Sequence, residues 1–347
     1  MRYLGKPRVR LFVGATLISF SPVWVKLVDV SPTTSGFYRV AIGGLALSLF
    51  LVVTRQRLAL ARPALLLLAL AAVFFALDLW FWHRSINYVG PGLATLLANF
   101  QVFFMLLAGV LLFGQRPRLV QLIAIPTALF GLGMIVGFDW RGLSGDYRLG
   151  VVLGLATAVA YAGYLLSMRA ARVTSSHPVP IREVAVISVG SAVLLGLVAL
   201  AEGESLAIPT AADAAWLLGY GLLSHSLGLM FIASSLPKVS TLEAGLALLL
   251  QPPLSFAWDV VFFSRPMTAM ELIGAAIALL AIFLGSRPGS KQLQRSRQYV
   301  DREVLLQWLN LAVKLGWQRR GGTNLDCPHA RMPDLRFAQM PASNERR

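Results

Sequence analysis

Residues 64–82 read ALLLLALAAVFFALDLWFW, nineteen positions with a single charged side chain, Asp78. At 1.5 Å rise per residue such a run nearly crosses a hydrocarbon layer of about 30 Å as one helix. A helix is required because lipid offers no partner to exposed backbone N–H and C=O groups. Comparable runs recur at about residues 9–29, 33–54, 64–84, 91–113, 119–138, 149–168, 183–201, 213–235, 240–263 and 268–286. The chain of 347 residues is 56% hydrophobic and 14% charged, where soluble domains carry roughly a quarter charged residues. The alternating pattern of a membrane barrel is absent. The reading is an all-α polytopic membrane protein with ten transmembrane helices, for which the lipid bilayer is the first partner.

Outward from these runs, the N-terminus places Arg2, Lys6, Arg8 and Arg10 before an apolar stretch, as a signal peptide does. No small-residue cleavage site follows, so this stretch is expected to stay as the first span. After residue 286 the composition changes to Ser, Gln, Arg and Asn, with twelve Lys/Arg against five acids. Within this basic tail, 287–347, residues 299–317 set Val300, Val304, Trp308, Leu311 and Leu315 on one face, an amphipathic helix suited to a membrane surface. The single cysteine, Cys327, lies in the tail, so no disulfide enters the argument.

A net charge of +15 invites a nucleic-acid reading, but the placement of the charges speaks for topology. With the N-terminus inside, thirteen Lys/Arg before residue 287 fall on the inner side and five on the outer side, with Arg39 within a span. This asymmetry satisfies the positive-inside rule with both termini cytoplasmic, in the cell (bacterial inner) membrane. No nucleic-acid partner is implied.

The stretch Ile86–Val136 also lies without a gap over Leu236–Ser286, at a constant offset of 150 residues. Ten identical pairs occur in the 51 positions, and the polar one is Gln101/Gln251. Two accounts stand: chance matches between Leu/Ala-rich helices, or an internal repeat. If the repeat is real, it divides the chain into 9–138 and 149–286, five spans each. An odd number of spans turns the second copy over, which makes the repeats inverted and puts a transport site near the midplane between them. Gly150, Gly154, Ala158 and Ala162 form a small-residue stripe on the sixth span that admits a close neighbour.

Three segments carry a family resemblance: FSPVWVKLVDVSPTTSGFYR (Phe20–Arg39), YVGPGLATLLANFQ (Tyr88–Gln101) and TLEAGLALLLQPPLSFAWDVVFF (Thr241–Phe263). They resemble the EamA-type family of the drug/metabolite transporter superfamily, over about residues 9–286. The resemblance implies ten spans in a five-plus-five arrangement. It also implies export or exchange of small organic solutes, such as amino acids and their derivatives, through a cavity between the halves.

Ionisable residues inside spans are costly, and function is the default account of them. Arg39 lies six residues into the second span and Asp78 fourteen into the third, from opposite sides, so both are expected about 9 Å below the outer face. They can meet there, with Lys26 of the same layer competing for Asp78. Such a pair serves either as an outer gate and an anchor for a solute carboxylate, or as a fixed pin between helices.

Gln101 and Gln251 lie near the midplane, with Asn99 beside the first. Amides offer donor and acceptor to a polar solute, or act as interhelical glue worth about 0.6 kcal/mol each. Pro252–Pro253 removes two backbone donors beside Gln251. His225, also near the midplane, suits proton coupling or plain hydrogen bonding. Among the aromatics, Tyr38, Trp80 and Tyr161 are candidates to line the cavity. Trp24, Trp216, Tyr220 and Trp258 read as interfacial belt, and His83–Arg84 as an interfacial helix end.

No phosphate-binding loop, metal-ligand cluster or nucleophile–base spacing is present, so no cofactor is implied. The sequence reading is a secondary carrier, not an enzyme. The alternative is a membrane-embedded enzyme acting on lipid or isoprenoid substrates, which would need paired acids or a His/Asp constellation at one interface.

Overall fold

The computed structural model describes residues 6–56, 60–175, 180–235, 238–239 and 241–286, with no side-chain description at 113 and 241–244. The tail 287–347 and its expected helix at 299–317 lie outside the described residues. Among the described residues, ten helices long and apolar enough to cross a membrane follow one another. They are α1 (Pro7–Leu27), α2 (Pro32–Val53), α3 (Arg62–Val89), α4 (Pro91–Ala98 and Gln101–Phe113) and α5 (Leu119–Val136), then α6 (Gly145–Thr174), α7 (Pro180–Ala201), α8 (Ala211–Ser235), α9 (Thr241–Leu249 and Gln251–Phe263) and α10 (Ala269–Ser286). Among the described residues there is no strand. Large apolar side chains on the rim, such as Leu45 (69% exposed), Leu111 (72%) and Val261 (68%), face outward. Lipid solvates them as well as a protein core would.

Local chemistry sets the ends. Ser31, Ser144 and Thr210 accept from the N–H of the residue three further on at the starts of α2, α6 and α8, satisfying one orphan donor each. Helix α3 stops at Gly90, whose φ of +84° a side chain would strain. That stop comes five residues later than the expected end at 84, with consequences for Arg39 and Asp78.

The 150-residue offset holds in the backbone. Gln101–Phe113 and Gln251–Phe263 start and end in register, as do Leu119–Val136 and Ala269–Ser286. The left-handed residues that follow, Gly114 (φ 59°) and Ser264 (φ 50°), match as well. Helices α4 and α9 are both interrupted before their glutamine. Ahead of Gln101, Asn99 N–H and Phe100 N–H bond three residues back to Leu96 and Leu97, tightening the turn. Ahead of Gln251, Leu250 does the same to Ala247. The prolines 252 and 253 then fall in the first turn of the resumed helix, where an N–H has no helical partner to lose.

Packing shows the inversion. Helix α7 lies along α2 with residue numbers running oppositely: Phe37 meets Gly196, and Gly44 meets Ser188. Helix α10 lies along α5 in the same sense, with Gln121 bonded to Gly285 and Gly131 against Gly274 and Ala278. Each of these helices is antiparallel to its own copy, as an inverted repeat requires. The remaining large contacts, α3 with α6 and α1 with α8, exchange under the same operation.

The small-residue stripe of α6 receives α3 and α4. A methyl on Gly150 would stand 2.5 Å from Tyr88 Cβ, and one on Gly154 2.5 Å from Leu97 Cδ1. These approaches bring α3 and α6 close enough for the rings behind them to stack.

Candidate functional site

Helix α8 supplies the centre of the bundle. Residues Tyr220–Leu227 form a π-helix, whose wider turn presents Tyr220, Ser224, His225 and Ser226 to several neighbours at once. Ser224 accepts from Trp24 Nε1 (3.0 Å) and donates to Leu17 O (2.6 Å). Ser226 donates to Gly43 O (3.1 Å) and Gly221 O (2.9 Å). Tyr220, read from sequence as belt, is instead 0% exposed and joins two other helices.

A relay runs through that tyrosine. Arg39 Nη1 donates to Tyr220 Oη (3.0 Å), and Tyr220 Oη meets His83 Nε2 at 3.1 Å. His83 Nδ1 lies 2.7 Å from Leu79 O, a pure acceptor, so Nδ1 carries the proton and Nε2 accepts from the tyrosine. His83 is therefore sealed in the bundle at 0% exposure, not snorkelling at an interface. The guanidinium of Arg39 also lies over Trp82 (5.4 Å to the ring centroid) and Tyr220 (5.1 Å). Arg39 is 8% exposed, and its Nε has no partner.

Arg39 and Asp78 form no ion pair within 4 Å among the described residues. The longer α3 explains why. Arg39 reaches α3 at the level of Trp82, and Asp78 lies one turn deeper, about 6 Å away along the axis. Asp78 is 8% exposed and accepts no hydrogen bond from any described residue. Lys26 sits exposed at the end of α1, away from Asp78 in bonding terms.

The remaining candidates separate into three places. Tyr161 stacks on Tyr164 (5.4 Å, 29°) and Tyr164 on Phe75 (4.9 Å, 29°), between α6 and α3. Gln101 and Gln251 open the second halves of α4 and α9, both partly buried, and Gln101 Oε1 is sealed without a partner. Asn99 Nδ2 donates to Thr95 O (2.8 Å), which also accepts from the Asn99 N–H (3.3 Å) at the break in α4. His225 is 0% exposed, with Nε2 at 2.8 Å from Ser188 Oγ. Ser188 already donates to Val184 O (2.7 Å), so His225 carries its proton on Nε2 and leaves Nδ1 buried and unpartnered.

Tyr38 and Trp80 belong to a polar latch on the face that bears the α7–α8 connection. Tyr38 donates to Leu206 O (2.7 Å). Trp80 Nε1 donates to Glu202 Oε1 (2.9 Å), with Arg84 stacked 3.9 Å above its ring. Arg84 Nη2 donates to both oxygens of Glu202 at 2.9 Å and lies 3.8 Å from Glu204. Thr33 donates to Glu202 (2.7 Å), and Ser31 to Glu204. Helices α2 and α3 of one repeat are thereby tied to the other repeat.

Partial burial raises the Glu202 carboxyl, but the bonds from Thr33 and Trp80 and the charge of Arg84 outweigh it and hold the group below its ordinary value of 4.5. A depressed carboxyl stabilises the fold above its unfolded value, and that contribution disappears as pH falls through the folded value. The melting temperature of the purified protein is expected to drop between pH 5 and 3. Glu202→Gln should flatten that slope, and an unchanged slope would remove Glu202 as its source.

The EamA-like transporter family model matches residues 9–137 and 148–287. The pseudopaline exporter CntI of Pseudomonas aeruginosa strain PAO1 is 25% identical over 252 residues, covering 72% of this chain and 84% of that protein. The probable amino-acid metabolite efflux pump of Escherichia coli K12 is 25% identical over 222 residues, covering 59% and 70%. A crystal structure at 18% identity superposes with a TM-score of 0.57, over 81% of this chain and 96% of that one, and shares the fold. With both repeats matched by the family model, the ten-helix chain described here belongs to the EamA-like transporter family.

Proposed function

We propose that the protein is a secondary transporter that exports a small organic metabolite bearing a carboxylate, an amino acid or a derivative of one in chemical class. It works by alternating access between the repeats 9–138 and 149–286. The observation that carries this reading is the buried Arg39 guanidinium, which has no carboxylate within 4 Å among the described residues. A buried charge without a counter-ion is costly unless a ligand completes it. A guanidinium, planar and held over two rings, is shaped to take a carboxylate with two parallel bonds.

The exporters among the relatives support the outward direction. The excess of Lys/Arg on one side supports placement of both termini in the cytoplasm, in a bacterial inner membrane, with the basic tail on the inner surface. His225, with its free Nδ1, is the candidate for a coupled proton.

The enzyme reading has less support. The buried acids Asp78, Glu183, Asp213 and Asp259 sit on different helices. Glu183 is engaged by Arg172, Asp213 by Thr210 and the Asp29 N–H, and Asp259 by Arg265 and the Gly92 N–H. Tracer flux in sealed proteoliposomes tests the transport reading: accelerated flux of carboxylate-bearing metabolites supports it, and none across such a panel sinks it.

Gln101→Leu and Gln251→Leu are expected to lower flux about tenfold each, the scale of one or two lost hydrogen bonds, with membrane insertion kept. Removing the sealed, unpartnered Oε1 of Gln101 should leave the protein no less stable by thermal unfolding. Unaltered kinetics in both variants would take the glutamines out of the solute path.

A further inference from the structure

The site around Arg39 contains a second charge that neither the relay nor the latch uses. Asp78 is 8% exposed and bonds to nothing among the described residues, and its oxygens are not among the sealed atoms of the interior. They therefore touch accessible space inside the bundle.

The antiparallel register of α3 and α6 decides what lies opposite. Phe75 stacks on Tyr164; three residues along each helix, in opposite senses, Asp78 comes level with Tyr161. Tyr161 in turn stacks on Tyr164. Neither hydroxyl has a hydrogen-bond partner among the described residues, and neither is sealed. By register, the Asp78 carboxylate and the ring stack of Tyr161, Tyr164 and Phe75 thus share neighbouring levels of α3 and α6, about one helical turn below the guanidinium.

We infer that Asp78 is the cation-binding group of the site: it takes a protonated primary amine of the solute, between its carboxylate, the Tyr161 and Tyr164 hydroxyls and the flanking ring stack. This rests on the carboxylate site proposed at Arg39 and deepens it, because it assigns the group that holds the amine of the same solute. An ammonium has three donors and no acceptor, matching the carboxylate and two hydroxyl oxygens. Aromatic faces add cation–π attraction where water is scarce. The charge balance agrees. Arg39 and Asp78 cancel overall yet do not pair within 4 Å, so each lacks a counter-charge at contact distance. A zwitterion supplies both without changing the net charge of the interior, whereas a simple acid or amine would leave one charge uncompensated.

The test uses purified full-length protein in lipid nanodiscs and three radiolabelled probes of one carbon skeleton: phenylalanine, phenethylamine and 3-phenylpropanoate. Wild type should bind phenylalanine and phenethylamine. Asp78→Asn, nearly isosteric, should weaken both by about tenfold or more, the scale of a lost charged hydrogen bond, and leave 3-phenylpropanoate unchanged. Asp78→Glu should recover part of the amine affinity. Equal phenethylamine affinity in wild type and Asp78→Asn would overturn the assignment. So would no amine binding by wild type, or a parallel loss of all three probes, which marks general damage. Flux in vesicles separates the two readings. Amine binding that depends on Asp78 without any flux would retain this site and reject transport, whereas amine flux indifferent to Asp78→Asn would retain transport and reject this site.

Discussion

Arg39→Met is expected to reduce flux of carboxylate-bearing solutes by about 30-fold to 1,000-fold, with membrane insertion and melting temperature preserved. The size follows from the loss of a charge-assisted, two-pronged bond to a desolvated carboxylate, about 2–4 kcal/mol. Stability should survive because the guanidinium forms no ion pair among the described residues. The variant thus removes a buried charge and strands no acid at contact distance. Only Tyr220 Oη loses a donor, and it keeps its bond to His83.

Arg39→Lys should restore flux only in part. Lysine keeps the charge but lacks the planar fork and the stacking over Trp82 and Tyr220. Flux in proteoliposomes, read beside thermal unfolding, separates these effects. Near-normal flux in Arg39→Met would exclude Arg39 from the carboxylate site. A collapse of stability together with flux would make it a structural pin.

Gly131→Leu should prevent assembly of the bundle. A methyl at Gly131 would stand 2.6 Å from Gly274 O and 2.7 Å from Ala278 N, and a methyl at Gly274 would stand 2.6 Å from Gly131 O. These are backbone atoms of the partner helix, so no rotamer change relieves the clash and α5 must move away from α10. Overpacking of this kind costs about 1–3 kcal/mol even in cores that can adjust. A whole leucine between two backbones belongs at or beyond the top of that range, and loss of monodisperse protein in size-exclusion chromatography is the expected reading. Leu129→Ala, two residues away and 53% exposed toward lipid, should leave the profile unchanged. A monodisperse, thermally normal Gly131→Leu would show that the crossing is looser than described.

The helix count and the five-plus-five arrangement were legible because they depend on local facts. A residue's cost in lipid follows from its own chemistry, and the 150-residue offset survives folding as matched helix ends. The break before Gln251 had a visible sign in Pro252–Pro253. Its counterpart before Gln101 had none, since Asn99 and Phe100 achieve it by shifting to shorter hydrogen bonds.

The candidate site was only half legible. Arg39, Asp78 and Tyr161 stood out as polar or aromatic residues within spans, but Tyr220 and His83 did not. Their distance from a span end suggested an interface, and only the run Ser224–His225–Ser226 hinted that α8 carries a buried polar face. Tyr38 and Trp80, read as cavity lining, hold the latch with Leu206 and Glu202.

By itself, then, the sequence determined that ten helices cross the bilayer, whereas the repeat it left between two accounts was decided by the matched helix ends. Transfer into lipid acts on each segment separately and is set by composition and length. Tertiary structure alone decided the pairings. A five-residue extension of α3 is invisible to hydropathy, yet it turns an expected Arg39–Asp78 pair into two separated charges. A guanidinium over Trp82 and Tyr220, with Asp78 one turn away on α3, is a property of helix register, which depends on where α3 stops at Gly90 and how closely α6 approaches.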